Sequence, residues 1–260
     1  MSTTTNTGST PTPTTIRGTI RGMSARANTV FAVGAVVVPL AALVYGVFWA
    51  PLQQLTYVHV MAGVLWTGID LFMALVLGPV LGGLDVQARA AVFQQFTPKM
   101  TFLMPSLALT TIFGGVVLSL KLGVFTHPMP WLALLTAATT LVPLLLIGWQ
   151  FHSFRDWRWL GFFGVALVGS GWFLATTLPA FAMTRPIFVL ILAIVTVLSV
   201  LGFGLLLPGE VRIYLQTRSA SPDPEVIGRI GLRNAKLSGV QGVFQLAIVV
   251  AMVYLRYGGF

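Results

Sequence analysis

The sequence predicts an all-α membrane protein, built as a polytopic bundle of seven transmembrane helices. Of its 260 residues, 56% are hydrophobic and only 8% are charged, whereas about 25% of the residues in a soluble domain are charged. Seven apolar runs are each long enough, at roughly 20 residues, to cross the hydrocarbon core of a bilayer. Cysteine is absent, which excludes disulfides and thiolate-ligated metal sites.

The chain divides into a short tail and one transmembrane domain. Residues 1–16, MSTTTNTGSTPTPTTI, are rich in Thr, Ser and Pro, so we expect a disordered basic cytoplasmic tail over 1–26. The domain covers 27–260. Its predicted spans lie near 28–49, 54–81, 99–124, 129–151, 158–182, 186–208 and 237–257. The first run lacks a small-x-small cleavage site, which favours a retained helix over a cleaved signal peptide.

The longest connection, residues 209–236, carries the pattern of an amphipathic helix. Asp223 and Pro224 are typical of a helix start, and Ile227 and Arg229 open an alternation of apolar and basic residues. We expect a short helix on the cytoplasmic surface. It would serve either as a lipid-facing platform for the last span or as a docking site for a soluble partner.

The basic residues indicate how the bundle is oriented. Loops on the side of the N-terminus carry 12 Lys and Arg residues, and the opposite loops carry 3. The excess of Lys and Arg marks the cytoplasmic side, so we expect a cytoplasmic N-terminus, an outer C-terminus and a multi-pass location in the cytoplasmic membrane. Because the net charge of +9 comes from residues between apolar runs, we expect anionic lipid headgroups, and not nucleic acid, as the partner.

Two pairs of spans resemble each other. The second and sixth spans end near Pro79 and Pro208, and the connections that follow end in Lys99 and Lys236. Both pairs cross the membrane in the same sense. This pattern is that of an internal duplication of the parallel type, or it reflects the usual placement of Pro, Gly and Lys at the ends of membrane helices.

The stretch HVMAGVLWTGIDLF in the second span carries two titratable groups. His59 and Asp70 are 11 residues apart, about three helical turns, so they share one face with Gly63 and Trp66. A charged side chain at the bilayer centre costs ~2.5–3.5 kcal/mol, so this face should point into the protein.

The last span offers polar partners for Asp70. Asn234, Gln241 and Gln245 lie at helical spacing and form, with Asp70, a polar intramembrane face. Such a face either holds helices together by hydrogen bonds or lines a cavity that takes a proton or a small polar solute.

His59 is also a candidate cofactor ligand, because it is the one histidine inside a predicted span. Met252 in the last span lies at a similar depth, and His/Met ligation of haem iron is familiar chemistry. A copper site at His127 and Met129 on the outer side is an alternative, since soft ligands suit Cu(I).

The runs at 59–81 and 96–120 resemble a known superfamily. They are similar to the helices of the copper-resistance D membrane proteins and the J-type protoporphyrinogen oxidases, in which a helix opens with histidine. Here the first run reads HVMAGVLWTGIDLFMALVLGPVL and the second FTPKMTFLMPSLALTTIFGGVVLSL. An aromatic-plus-glycine element follows (Trp66 and Gly68), and the next helix carries Pro, Thr and Gly, here Pro105, Thr110 and Gly114. The oxidases carry a basic residue late in the histidine helix, where this chain has the apolar ALVLG, so the chain resembles a relative of the oxidases.

The resemblance implies a haem-binding redox or electron-transfer component. Haem b would be the cofactor, His59 its ligand, and Met252 and Trp66 its neighbours, with an electron-transfer or membrane-complex partner. There are two alternatives. The chain is a cofactor-free transporter that uses the polar face of Asp70, or it is an accessory or scaffold subunit of a membrane complex.

Overall fold

The computed structural model of the protein describes residues 15–258, which form eight helices and no strand within that range. The helices are α1 (Ile16–Ala27), α2 (Thr29–Phe48), α3 (Leu52–Gly82), α4 (Val86–Lys121), α5 (Pro128–Gln150), α6 (Trp157–Ala180), α7 (Pro186–Thr217) and α8 (Pro224–Tyr257). Seven of them, α2 to α8, are long and apolar enough to cross a membrane. The predicted all-α class and the seven spans are therefore confirmed, and the chain is an integral membrane protein.

Part of the N-terminal tail is helical where the sequence predicts disorder. Thr15 caps α1 by accepting a hydrogen bond from the backbone N–H of Gly18 at 3.2 Å, and Met23 and Ala27 are buried. The guanidinium carbon of Arg26 lies 6.0 Å from the centre of the Tyr214 ring on α7. These contacts order residues 16–27. Residues 1–14 lie outside the described part of the chain.

Three helices extend well beyond the predicted spans. α4 begins at Val86, capped by the side chain of Asp85, and not near residue 99. α7 continues to Thr217, and α8 begins at Pro224, where the carboxylate of Asp223 accepts from two backbone N–H groups. Residues 209–236 thus form the ends of two long helices, not a separate surface helix. The helix start at Asp223 and Pro224 lies where the sequence predicts it.

α3 and α7 are each interrupted by a segment of π-helix. It covers Met73–Leu77 in α3 and Val200–Leu206 in α7, and a proline follows each one, Pro79 and Pro208. Proline has no N–H and clashes with the carbonyl four residues earlier. A wider turn next to the proline relieves this crowding, and π-helical turns are frequent at functional sites.

The carbonyl group that Pro208 leaves without a helical partner is satisfied by another helix. Pro208 would pair with Gly204 in a regular helix, and the Gly204 oxygen instead accepts from Nε2 of Gln150 on α5 at 2.7 Å. Backbone polar groups inside a membrane need such partners. The interruption of α7 is therefore compensated by a specific side chain.

The two pairs of helices that resemble each other in sequence, α3–α4 and α7–α8, also have similar lengths and interruptions. α3 and α7 contain 31 and 32 residues, and each has a π segment before its proline. The helices that follow, α4 and α8, contain 36 and 34 residues, and each begins after a capping aspartate, Asp85 or Asp223. α3 packs against α8, and α4 packs against α7. The α3–α4 pair therefore packs against the α7–α8 pair.

Candidate functional site

Asp70 lies at the contact between α3 and α8. It is 0% exposed, and its Oδ2 accepts two hydrogen bonds, from Nε2 of Gln241 at 3.0 Å and from Nε2 of Gln245 at 2.9 Å. The two glutamines are one turn apart on α8, so both amides reach the same oxygen. Oδ1 of Asp70 has no hydrogen-bond partner within residues 15–258.

Glycines on α8 bring the two helices close enough for these short contacts. A Cβ at Gly242 would lie 2.7 Å from Cδ2 of Leu71, and a Cβ at Gly239 would lie 2.8 Å from Cβ of Ala74. Any larger residue at either position would push α8 away from α3. Small residues at helix contacts in membranes have this effect in general.

A cavity of about 60 Å³ lies beside Asp70, between α3, α4, α7 and α8. The volume is enough for a few water molecules. Its polar lining comes from Asp70, Thr101, Glu210, Asn234, Ser238 and Gln241. Residues of both π segments, among them Met73 and Gly202, also line it. The cavity therefore lies where the α3–α4 pair and the α7–α8 pair meet.

Glu210 is a second carboxylate in this cavity, and the sequence analysis missed it. Nδ2 of Asn234 donates a hydrogen bond to Oε1 of Glu210 at 3.1 Å and another to the backbone oxygen of Leu206 at 3.2 Å. The sequence places Glu210 after Pro208, in a connection and not in a helix. Its spacing of 24 residues from Asn234 gives no local signal, because the two residues belong to different helices.

The cavity contains more acceptors than donors. Four buried oxygens at its lining have no hydrogen-bond partner within residues 15–258: Oδ1 of Asp70, Oε2 of Glu210, Oδ1 of Asn234 and Oε1 of Gln241. Buried polar atoms in folded proteins are almost always paired, with protein or with water. A proton, water, or a small solute with N–H or O–H groups would supply the donors.

His59 lies against α4, away from this cavity. Its Nδ1 is 2.8 Å from the backbone oxygen of Thr111. A carbonyl only accepts, so Nδ1 carries the proton and Nε2 keeps its lone pair. The ring rests on two glycines, and a Cβ at Gly115 would lie 2.8 Å from Cε1 of His59. A ring N–H donated to a backbone carbonyl is typical of metal-ligating histidines, so His59 fits the role of a haem ligand through Nε2.

The other two predicted cofactor neighbours have different surroundings. Met252 packs against an apolar cluster formed by α5, α7 and α8, which includes Leu135 and Ile191. Trp66 is 3% exposed in a cluster with Leu107 and Leu198, and it also lines the cavity of Asp70. The structure thus brings Asp70, Gln241 and Gln245 together, with Asn234 at the same cavity. His59 and Met252 lie in separate environments.

The outer pair considered for copper is exposed at the start of α5. His127 precedes the helix and Met129 lies in its first turn. Within residues 15–258, no group of three or more His, Asp or Glu side chains lies close enough to hold a metal ion.

Known proteins do not add to these assignments. Comparison of the chain with family models, with curated proteins and with solved structures gives no match in any of the three. The resemblance to the copper-resistance D and J-type oxidase superfamily therefore stays a prediction from the sequence.

Proposed function

We propose that this integral membrane protein binds a proton at Asp70 and couples it to the movement of a small polar solute through the bundle. One observation carries the proposal: a fully buried carboxyl group in a membrane-crossing helix is held through one oxygen by two amides, while its other oxygen stays free. Ionisable residues at such positions mark ion and proton pathways in general.

Both protonation states of Asp70 have a physical basis in its surroundings. The N–H groups of Gln241 and Gln245 stabilise the charged carboxylate. Burial in a low-dielectric interior stabilises the neutral acid. In the neutral form the hydrogen sits on Oδ1, which then donates into the cavity. A group with support in both states can take up and release a proton.

Glu210 offers the next position for that proton. It lines the same cavity as Asp70 and lies in the last turns of α7, and its Oε2 is free to accept. Water between the two carboxyl groups would connect Asp70 to the end of the bundle where α7 ends. Binding sites of many transporters are formed by interrupted helices, and residues of both π segments line this cavity.

Infrared spectroscopy of the purified protein tests proton binding at Asp70. The difference spectrum between acidic and alkaline buffer should contain the C=O stretching band of a buried carboxylic acid. Asp70→Asn should remove the part of that band that comes from Asp70 and leave the part that comes from Glu210, because the amide keeps the shape of the side chain but cannot ionise. Asp85→Asn is the matched control, since Asp85 is an exposed helix cap and asparagine caps equally well.

A second measurement tests whether protons cross the bundle by way of Asp70. In proteoliposomes with an internal pH-sensitive dye, a membrane potential should drive proton flux through the wild type and the Asp85→Asn variant, and Asp70→Asn should reduce it about tenfold or more. A carboxyl band unchanged by Asp70→Asn would contradict the proton site. Equal flux in wild-type and Asp70→Asn vesicles would contradict proton movement by way of Asp70.

Haem binding at His59 is a second candidate function, favoured by the hydrogen bond from Nδ1 to Thr111 that leaves Nε2 available. One-electron transfer is the chemistry that a haem supplies when bound. His59 would hold the iron, the carbonyl of Thr111 would fix the ring, and an electron-transfer partner would dock beside the bundle. The cavity of about 60 Å³ at Asp70 takes water and small solutes, so a haem would bind outside it.

Absorption spectra test this second candidate. The protein is expressed with haem supplied, purified in detergent, and measured oxidised and dithionite-reduced. We expect a Soret band in the wild-type protein. His59→Ala should remove the band, and His127→Ala should preserve it. A wild-type protein without a Soret band, or a band insensitive to His59→Ala, would contradict it.

A further inference from the structure

A second cavity, of about 260 Å³, opens where α5 and α7 end and α8 begins. Its polar lining comes from Arg212 on α7, Gln150 at the end of α5 and Gln216 one turn beyond Arg212. Apolar side chains, including Leu215 and Ile230, form the rest of the wall. We call it the Arg212 groove. It is separate from the cavity of Asp70, with no lining residue in common.

The Arg212 groove has an excess of positive charge. Arg212 is half-buried, and its guanidinium is close enough to that of Arg233 on α8 for the two charges to repel. Within residues 15–258, the arginines that donate side-chain hydrogen bonds are Arg89 and Arg218. No acidic residue is among the side chains that line the groove, and Arg212 is its one charged lining residue, which favours an anion.

The surroundings place the groove at the level of lipid headgroups. Trp149, next to Gln150, is 65% exposed, and Trp157 at the start of α6 is 75% exposed. Exposed tryptophans mark the membrane interface. Arg155 lies in the α5–α6 connection, and Arg158 lies in the first turn of α6. The groove therefore opens where phosphate groups of phospholipids are present at high local concentration.

We infer that the Arg212 groove binds the phosphate of an anionic phospholipid. Two N–H groups of the Arg212 guanidinium match two phosphate oxygens, and Gln216, which lines the same groove, carries an amide that can donate to a third. The apolar wall suits the glycerol and upper acyl chain of the lipid. Inorganic phosphate offers the same oxygens but lacks the apolar part, so the lipid is the expected occupant.

Native mass spectrometry of the full chain in detergent tests this site. Titration with phosphatidylglycerol should give one tightly retained lipid in the wild type, and Arg212→Gln should weaken its binding about tenfold or more, through loss of charge-assisted hydrogen bonds. Arg229→Gln is the matched control: it removes the same charge from an exposed position one turn before Arg233. Gln216→Glu, at the rim of the groove, should weaken binding as well and serves if Arg212→Gln does not fold.

Two further arms distinguish the source of the phosphate. Phosphatidylcholine should bind at least about tenfold more weakly, and inorganic phosphate should fail to displace the retained lipid. Equal retention by wild type, Arg212→Gln and Gln216→Glu would overturn the site. Displacement by inorganic phosphate would overturn the assignment to lipid and leave a free-phosphate site. Neither result depends on the proton site at Asp70.

Discussion

At the scale of single residues, the glycines of this bundle fall into two groups. At some of them a Cβ would collide with a neighbouring helix: Gly231 faces the ring of Phe93, and Gly242 faces Leu71. At others, such as Gly161 and Gly164 on α6, no atom lies within 4 Å of an added Cβ. The first group sets how closely helices approach, and the second faces outward.

Substitution of Gly231 tests this division. Gly231→Ala should destabilise the protein by about 1–3 kcal/mol, the usual cost of overpacking, because Phe93 is only 2% exposed and is held in a buried cluster with Leu81 and Ile213. Gly164→Ala, the control, should leave the protein unchanged or slightly stabilised, since alanine is the better helix former. Thermal unfolding in detergent measures both. Equal midpoints for the two variants would contradict the packing described here.

The residues at the cavity were only partly predictable from the sequence. Helical spacing placed Asp70, Gln241 and Gln245 on interior faces, and a buried carboxyl group needs donors, so their proximity followed from local pattern and polarity. The position of Glu210 in the cavity could not be predicted in this way, because a single carboxylate after a proline is common in loops. Only the continuation of α7 to Thr217 moves it into the bundle.

At the scale of elements, hydropathy located the seven spans but not their full lengths. Polar helical turns such as 86–98 and 209–217 extend α4 and α7, and a hydropathy window does not count them. The π segments were also not predicted, since Pro79 and Pro208 indicate a disturbance but not its form. A side chain from the next helix also satisfies backbone groups where α3 ends. Arg89 on α4 donates to the backbone oxygen of Leu81, inside α3, and to that of Leu84, just beyond it.

At the scale of the whole molecule, the distribution of Lys and Arg predicts the orientation in the membrane. If all seven candidate spans cross the membrane, the two ends of the domain lie on opposite sides. The Arg212 groove and the α5–α6 connection share the side predicted to be cytoplasmic. The lipid proposed for that groove would therefore come from the inner leaflet.

Reporter fusions test this orientation. A reporter active only in the cytoplasm should be active when fused before Met1 or inserted within 218–223, and inactive when fused after Phe260 or inserted within 122–127. The expectation follows from the excess of basic residues on the first side. Activity at both ends, or the reverse pattern, would contradict the predicted topology.

The pairing of Asp70 with Gln245 has a consequence for biogenesis. The two residues are 175 positions apart, and at about 5–20 residues per second a ribosome needs roughly 9–35 s to add the second after the first. During that interval Asp70 has been synthesised but its hydrogen-bond donors, Gln241 and Gln245, have not. The 175 residues added in the meantime are two-thirds of the 260 residues. Asp70 thus acquires its native contacts late, and insertion of α8 is the step that supplies them.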